Sequence, residues 1–397
     1  MTMNIQPAKR IESVQEYYFS VKLKEIAQMN ARGEGVINLG IGSPDLAPSK
    51  ATIAALQQCA EEPKSNGYQS YVGIPELRQE FASWYKRIYD VSLDPSTQIL
   101  PLMGSKEGIM HISMAFINEG DGVLVPNPGY PTYTSVSNLV GAKVFSYSLK
   151  AENDWFPDFE AIEAADRAGE IDLSKTKLMW CNYPNMPTGA NGNRELFEAL
   201  VAFGLKHNIV ICHDNPYSMI LNDNPLSILS VEGALDVCIE LNSLSKSSNM
   251  AGFRVGMLAT NKTFLDWVLR VKSNMDSGMY KPIQMAAVEA LKAQKDWYDS
   301  INEVYMRRRI LAREILVTLG LDVRENQVGM FLWAKLNDNQ LAEGLDGIAL
   351  CDTILYKSKV FLTPGAIFGS EGNAYVRISL CSDEATLEEA LTRIKKL

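Results

Sequence analysis

The stretch KLMWCNYPNMPTGANGNRELFEALVAFGLKHNIVICHD, residues 177–214, changes pattern three times. It opens with a short apolar run, Lys177 to Cys181. A corner built on Pro184, Pro187, Thr188 and Gly189 follows, with Met186 standing between Asn185 and Pro187. Residues 194–207 then repeat apolar side chains at helical spacing, and a second apolar run, 208–214, ends at Asp214. Strand, corner, helix and strand is the unit of a parallel sheet, because parallel neighbours need a crossover long enough to hold a helix.

The same alternation extends in both directions. QILPLMG (98–104) reads as a strand that runs into the helical pattern SKEGIMHISMAFI, and 122–126, 143–149 and 237–245 read as further strands. FRVGMLAT (253–260) follows too closely for a helical crossover and is expected to run antiparallel. After about residue 280 a long helical region (284–317) leads to strands near 321–325, 329–336 and 374–380, the texture of a second, smaller α+β domain. The segment before residue 46 carries a helical pattern and the run VINLGIGSPD but no domain of its own. The expected organisation is a large domain over 46–282 and a small domain made of 1–45 plus 283–397.

The 397 residues carry a formal charge of -9, which argues against a nucleic-acid surface. The longest basic run, Arg307 to Arg309, lies in a helical pattern and reads as a solvated face. No apolar stretch reaches the length of a bilayer span, and the start lacks the apolar core of a signal peptide. Six cysteines without a CxxC pair read as reduced core residues of a cytoplasmic protein. Three dispersed histidines give no metal site, and in Cys212-His213-Asp214 neighbouring strand residues point to opposite faces. No metal is expected.

In a doubly wound sheet the C-terminal strand ends share one edge, where ligands bind. Ser105, Asn127, Asn185, Asp214, Ser243 and Lys246 all stand at such ends, so they are expected to line one pocket. A lysine there is desolvated, which suits it to Schiff-base chemistry; a solvated loop is the plain alternative for Lys246. The surrounding Ser243 and Ser245, with Arg254, suit a phosphate. Gly104-Ser105-Lys106 begins a helix, whose free N–H groups favour an anion, though many such turns only cap. Asp214 needs a buried cation or serves as a turn residue, and Arg377, inside the strand YVRISL, needs a carboxylate, from a substrate or from the protein itself. Jointly these groups describe a cofactor with a phosphate, a ring nitrogen and an aldehyde, together with a substrate carboxylate.

The motifs INLGIGSPD, YQSYVGIPELR, GSKEG, VPNPGYPTY, YPNMPTG, HDNPY, SLSKSSNMAGFRVG, TPGAIFG and YVRISL, in this order, resemble those of the class I/II aminotransferases among the fold-type I pyridoxal-phosphate enzymes. The resemblance spans essentially the whole chain. It implies a mostly parallel, doubly wound seven-stranded sheet, the cofactor pyridoxal 5′-phosphate, and amino-group transfer between an L-amino acid and a 2-oxo acid. Glutamate/2-oxoglutarate or alanine/pyruvate is the expected pair; a carbon–sulfur β-lyase and, more remotely, a cofactor-sensing regulator share the scaffold. By the same resemblance Lys246 is the catalytic lysine, Asp214 holds the ring nitrogen, Tyr217 bonds the phenolic oxygen and Tyr130 stacks on the ring. Gly104, Ser105, Lys106, Ser243, Ser245 and Arg254 hold the phosphate, joined by Tyr68 from the other subunit of a homodimer. Arg377 grips the substrate carboxylate beside Gly42, and Lys106 either meets a distal carboxylate or only caps. The family usually reads Asn-Pro-Thr-Gly at the corner, so Met186 leaves the ring oxygen to Tyr217 unless Asn185 or a water substitutes.

Overall fold

Apolar runs that feed two cores at once build the central sheet. The computed structural model describes residues 5–12 and 18–397. After the helix Tyr18–Ala31 and the short strand β1 (Ile37–Asn38), the chain supplies β2 (Ile99–Leu102), β3 (Gly122–Asn127), β4 (Lys143–Ser148), β5 (Thr176–Asn182), β6 (Val210–Asp214), β7 (Cys238–Ser243) and β8 (Gly256–Ala259). These last seven form one sheet in the order β2-β8-β7-β6-β5-β3-β4. Only β8 runs antiparallel, against both β7 and β2. Within β5, Leu178 and Trp180 enter one core while Met179 and Cys181 enter the other. Both faces are covered by helices, which is why KLMWC is apolar without alternation.

The helix Arg194–His207 that follows the corner is set by its ends. Asn193 Oδ1 accepts from Leu196 N at 2.8 Å, and Asn208 closes the helix in the left-handed region at φ 55.

A second sheet comes from β9 (Leu321–Val323), β10 (Phe331–Leu336), β12 (Thr363–Pro364) and β13 (Tyr375–Ser379), antiparallel in the order β12-β13-β10-β9. Strand β1 pairs in parallel with β11 (Val360–Phe361), so the N-terminal segment joins the C-terminal part.

Two expectations need correction. The helical region 284–317 is two helices, Lys281–Leu291 and Lys295–Thr318, broken where Gln294 takes an extended backbone. No glycine or proline marks that break, and the apolar spacing runs across it. The first of these helices packs against the helices Lys50–Glu61 and Pro75–Tyr89. The basic run is not a solvated face throughout: Arg308 is 2% exposed, its guanidinium bonded to both carboxylate oxygens of Asp45 at 2.7 Å. That partner lies 263 positions away, beyond any local pattern.

Candidate active site

The C-terminal ends of β3, β5, β6 and β7, together with that of β2, open on one edge of the central sheet. Because β8 returns beside β7, the connection between them brings Lys246 and Arg254 back to that same edge. A cavity of about 430 Å³ lies there, with Gly42, Ser105, Lys106, Tyr130, Asp214, Tyr217, Ser243, Ser245, Lys246, Arg254 and Arg377 in its wall.

Lys246 rides on a single helical turn, Leu244–Ser247, whose start is held by Ser243 Oγ accepting from Ser245 N at 3.1 Å. Its Nζ donates to Gly42 O at 2.5 Å. Burial lowers the lysine pKa; Cys381 opposes the shift, and the guanidinium groups of Arg377 and Arg254 add to it.

Asp214 ends β6 and is buried. Its Oδ2 accepts from Tyr133 Oη at 3.0 Å, and its backbone oxygen accepts from Asn182 Nδ2 at 2.6 Å. Oδ1 is buried with no hydrogen-bond partner among the described residues. Burial pushes the carboxyl pKa up to about 6, against the pull of the Tyr133 hydroxyl and His213. His213 itself faces the other side of the sheet, with Nδ1 2.8 Å from Glu240 Oε2 and Nε2 2.9 Å from Tyr183 O. Strand alternation therefore separates it from Asp214, as expected.

Beyond Lys246 the wall turns cationic and rich in donors. Ser105, Ser243, Ser245 and Arg254 gather at the start of the helix Ser105–Phe116. Gly104 precedes that helix at φ 85, and a Cβ there would sit 2.1 Å from Arg254 Nη2. Only glycine lets the arginine approach the helix start so closely. Arg254 is braced by bonds from Nη1 to Ala251 O at 2.9 Å and to Ser245 Oγ at 3.4 Å.

At the small-sheet side, Arg377 of β13 is 4% exposed. Its Nη2 donates to Gly40 O at 2.7 Å, and the Phe331 and Phe368 rings lie 4.0 and 4.7 Å from the guanidinium carbon. A Cβ on Gly42 would meet Phe331 Cζ at 2.1 Å, so this glycine lets the ring lie over the arginine. Tyr130 contributes its ring, edge-on to Tyr133 at 5.5 Å, and the Tyr217 ring stands edge-on to Phe331 at 6.0 Å.

Tyr68, expected to serve the site of the other subunit, projects from the surface, 93% exposed. Two of the strand-end residues are turned elsewhere. Asn127 is turned aside to Ser370 Oγ at 2.8 Å, and Asn185 is committed within the corner, to Asn182 O and to the Thr188 hydroxyl. Asn185 therefore does not stand in for Met186. Sequence reasoning missed Tyr133, although its spacing from Tyr130 in GYPTY puts both on one helical face. It also missed Asn182, and Phe19 and Leu23 of the helix Tyr18–Ala31, which close the cavity from above with no motif to mark them.

One histidine does stand among carboxylates. Glu107, His111 and Asp276 bring ligand-type atoms within 4.8 Å of one another. The Lys272 ammonium, 2.6 Å from Asp276 Oδ2, already supplies a cation there.

The chemistry of this donor set fits pyridoxal 5′-phosphate. The orphaned Asp214 Oδ1 calls for a protonated nitrogen, the glycine-cradled Arg254 and helix start call for an anion, and a desolvated amine lies between them. The comparisons agree. The family model for aminotransferase class I and II matches residues 34–394. LL-diaminopimelate aminotransferase of Dehalococcoides mccartyi is 41% identical over 389 residues, covering 98% of this chain and 97% of that protein. Its namesake from Halothermothrix orenii is 39% identical over 393 residues, 98% of each chain. Among solved structures, substrate-bound BacF from Bacillus subtilis superposes with a TM-score of 0.91 at 34% identity, over 99% of this chain and 98% of that one. An aminotransferase from Staphylococcus aureus gives 0.87 at 29%, over 98% and 99%. No helix among the described residues is long and apolar enough to cross a membrane. The chain belongs to the class I and II aminotransferases, pyridoxal-phosphate enzymes that move an amino group between an amino acid and a 2-oxo acid.

Proposed function

We propose that the enzyme takes its amino group from an L-amino acid bearing a second charged group, with glutamate/2-oxoglutarate or alanine/pyruvate as one pair. LL-diaminopimelate, the substrate in the relatives' name, is the first donor to test. The observation that carries this reading is that one cavity is lined by two cationic side chains besides Lys246 and the phosphate-type Arg254: Arg377 for an α-carboxylate and Lys106 for a distal anion.

In this reading Arg254, Ser105, Ser243, Ser245 and the amides from Gly104 hold the phosphate. Lys246 Nζ would hold the aldehyde carbon before substrate arrives, and Asp214 Oδ1 would keep the proton on the ring nitrogen. Tyr217 donates to the phenolic oxygen and Tyr130 covers the ring. Pyridoxal phosphate supplies, when bound, an electron-poor ring that takes up the negative charge left at a deprotonated substrate Cα. Arg377 orients the substrate so that the Cα–H bond, rather than the carboxylate, faces Lys246. Lys246 Nζ, with its lowered pKa, takes that proton. Phe19 and Leu23 help exclude water from above.

The exposure of Tyr68 supports its service in the site of a second copy within a homodimer. Six buried thiols support a reducing, cytoplasmic setting. The test is to incubate holoenzyme with LL-diaminopimelate, glutamate, aspartate or alanine and measure the 2-oxo acid formed. Stoichiometric appearance of a second amino acid from an added 2-oxo acid supports transfer; release of ammonia and thiol from a cysteine conjugate overturns it.

A further inference from the structure

Four titratable side chains are buried together beside the helix Ser105–Phe116. Lys272 and Asp276 pair at 2.6 Å with side chains only 2% and 6% exposed. Glu107 and His111 of that helix bring ligand-type atoms within 4.8 Å of Asp276, and His111 Nε2 lies 3.1 Å from Glu107 Oε1. Charges enclosed this well keep their places, because one that left would strand its partner away from water. Each carboxylate also holds a backbone amide. Glu107 Oε2 accepts from Met103 N at 2.6 Å, fixing the turn that presents Gly104 and Ser105. Asp276 Oδ1 accepts from Gly278 N at 2.8 Å. Gly278, at φ 86, lies so close to the segment before it in space that a Cβ would sit 2.4 Å from Gln69 O and 3.0 Å from Ser70 O. The Tyr280 hydroxyl reaches Asn66 Oδ1 of the same segment at 3.5 Å. The segment held in this way carries Tyr68.

We propose that this cluster positions two phosphate-binding elements at once: the turn 103–105 of its own site, through Glu107, and the Tyr68 segment that serves a second copy, through Asp276 and Gly278. Glu107 and Asp276 are positioning residues; neither is in the cavity wall. Because the two arms meet in one buried cluster, a disturbance at Asp276 reaches a cofactor site in each subunit. The proposal rests on the reading of Tyr68 as a residue of the partner's site, and the hybrids below separate the two ideas.

The test uses mixed dimers isolated from two differently tagged, co-expressed chains. The first chain carries Lys246→Ala, so only Lys246 of the second can be loaded. Pyridoxal phosphate is titrated into the apo hybrid and fixed with borohydride, and occupancy is read by mass mapping of the Lys246 peptide. Asp276→Asn or Gly278→Ala is then placed on the first chain, which supplies Tyr68 to the loaded site. The expected result is about threefold to tenfold weaker binding, the scale of one modest hydrogen bond, at a site whose own residues are all wild type. A merely local structural role would not move that site. Asp276→Asn on the second chain is expected to weaken it as well, through the turn 103–105. Gly278→Ala leaves every charge in place, so it carries the test should Asp276→Asn chains fail to fold. Tyr68→Phe on the first chain is the reference. If it weakens binding while Asp276→Asn and Gly278→Ala on the first chain do not, the proposal is overturned. If Tyr68→Phe leaves binding unchanged, the reading of Tyr68 fails, and the link between the sites fails with it.

Discussion

The Tyr133 hydroxyl donates to Asp214 Oδ2 at 3.0 Å, while Oδ1 of the same carboxylate is buried with no hydrogen-bond partner among the described residues. Tyr133 is itself immobilised, stacked on Trp180 with ring centroids 5.1 Å apart. One oxygen is thus aimed and the other reserved. Tyr133→Phe removes a hydrogen bond to a charged acceptor, worth about 1.5–3 kcal/mol. The variant is expected to bind pyridoxal phosphate at least tenfold more weakly at neutral pH, measured by equilibrium titration of the apoprotein.

The raised Asp214 pKa has a signature in the apoprotein. Its folded value of about 6 lies above the ordinary 3.8 because burial disfavours the charged form. A carboxyl whose folded pKa is raised stabilises the fold fully below about pH 4 and loses that contribution as pH climbs through 6. At about 1.4 kcal/mol per pH unit the loss approaches roughly 3 kcal/mol. Melting curves of apo wild type and apo Asp214→Asn from pH 4 to 7.5 should show wild type losing ground to the variant as pH rises; a constant difference contradicts the shift.

Lys246→Ala should abolish the visible absorption that holoenzyme owes to its covalently held cofactor. In apo wild type, the lowered pKa makes Lys246 neutral at a lower pH than ordinary lysines. Of the buried and exposed amines, it is expected to be acylated ahead of the exposed ones at pH 8, read by peptide mass mapping.

Gly42→Ala places a Cβ 2.1 Å from Phe331 Cζ, and the ring that must move is the one lying over Arg377. A stability loss of about 1–3 kcal/mol is expected from overpacking, visible in denaturant titration. The KM for the amino acid should rise with it, since the arginine loses its cover.

Glu240 lies fully buried in β7 and accepts from Tyr85 Oη, Ser227 Oγ, Ile228 N and the His213 ring, at 2.7 to 3.0 Å. Glu240→Gln turns one of the two accepting oxygens into a donating amide, and a buried donor left unsatisfied costs about 1–3 kcal/mol. The midpoint of urea unfolding should drop accordingly, with the cofactor present or absent.

What the amino-acid sequence determined by itself is the part governed by local period and by chain ends. Apolar runs without alternation mark strands covered on both faces, as in β5, and the short link before β8 forces its antiparallel course. Asp214, Ser243, Lys246 and Arg254 were legible because strand ends in such a sheet converge, and Arg377 because an arginine inside an apolar strand needs an anion. Only the tertiary structure decided who faces whom. Period tells which side of a strand a residue takes, not which distant side chain it meets there. Tyr133 lies 81 positions from Asp214, Met186 lies 191 from Arg377, and Arg308 lies 263 from Asp45. Such pairs form when whole helices and sheets pack, so burial, and not spacing, turned a basic run into a buried anchor and a corner methionine into the neighbour of an arginine.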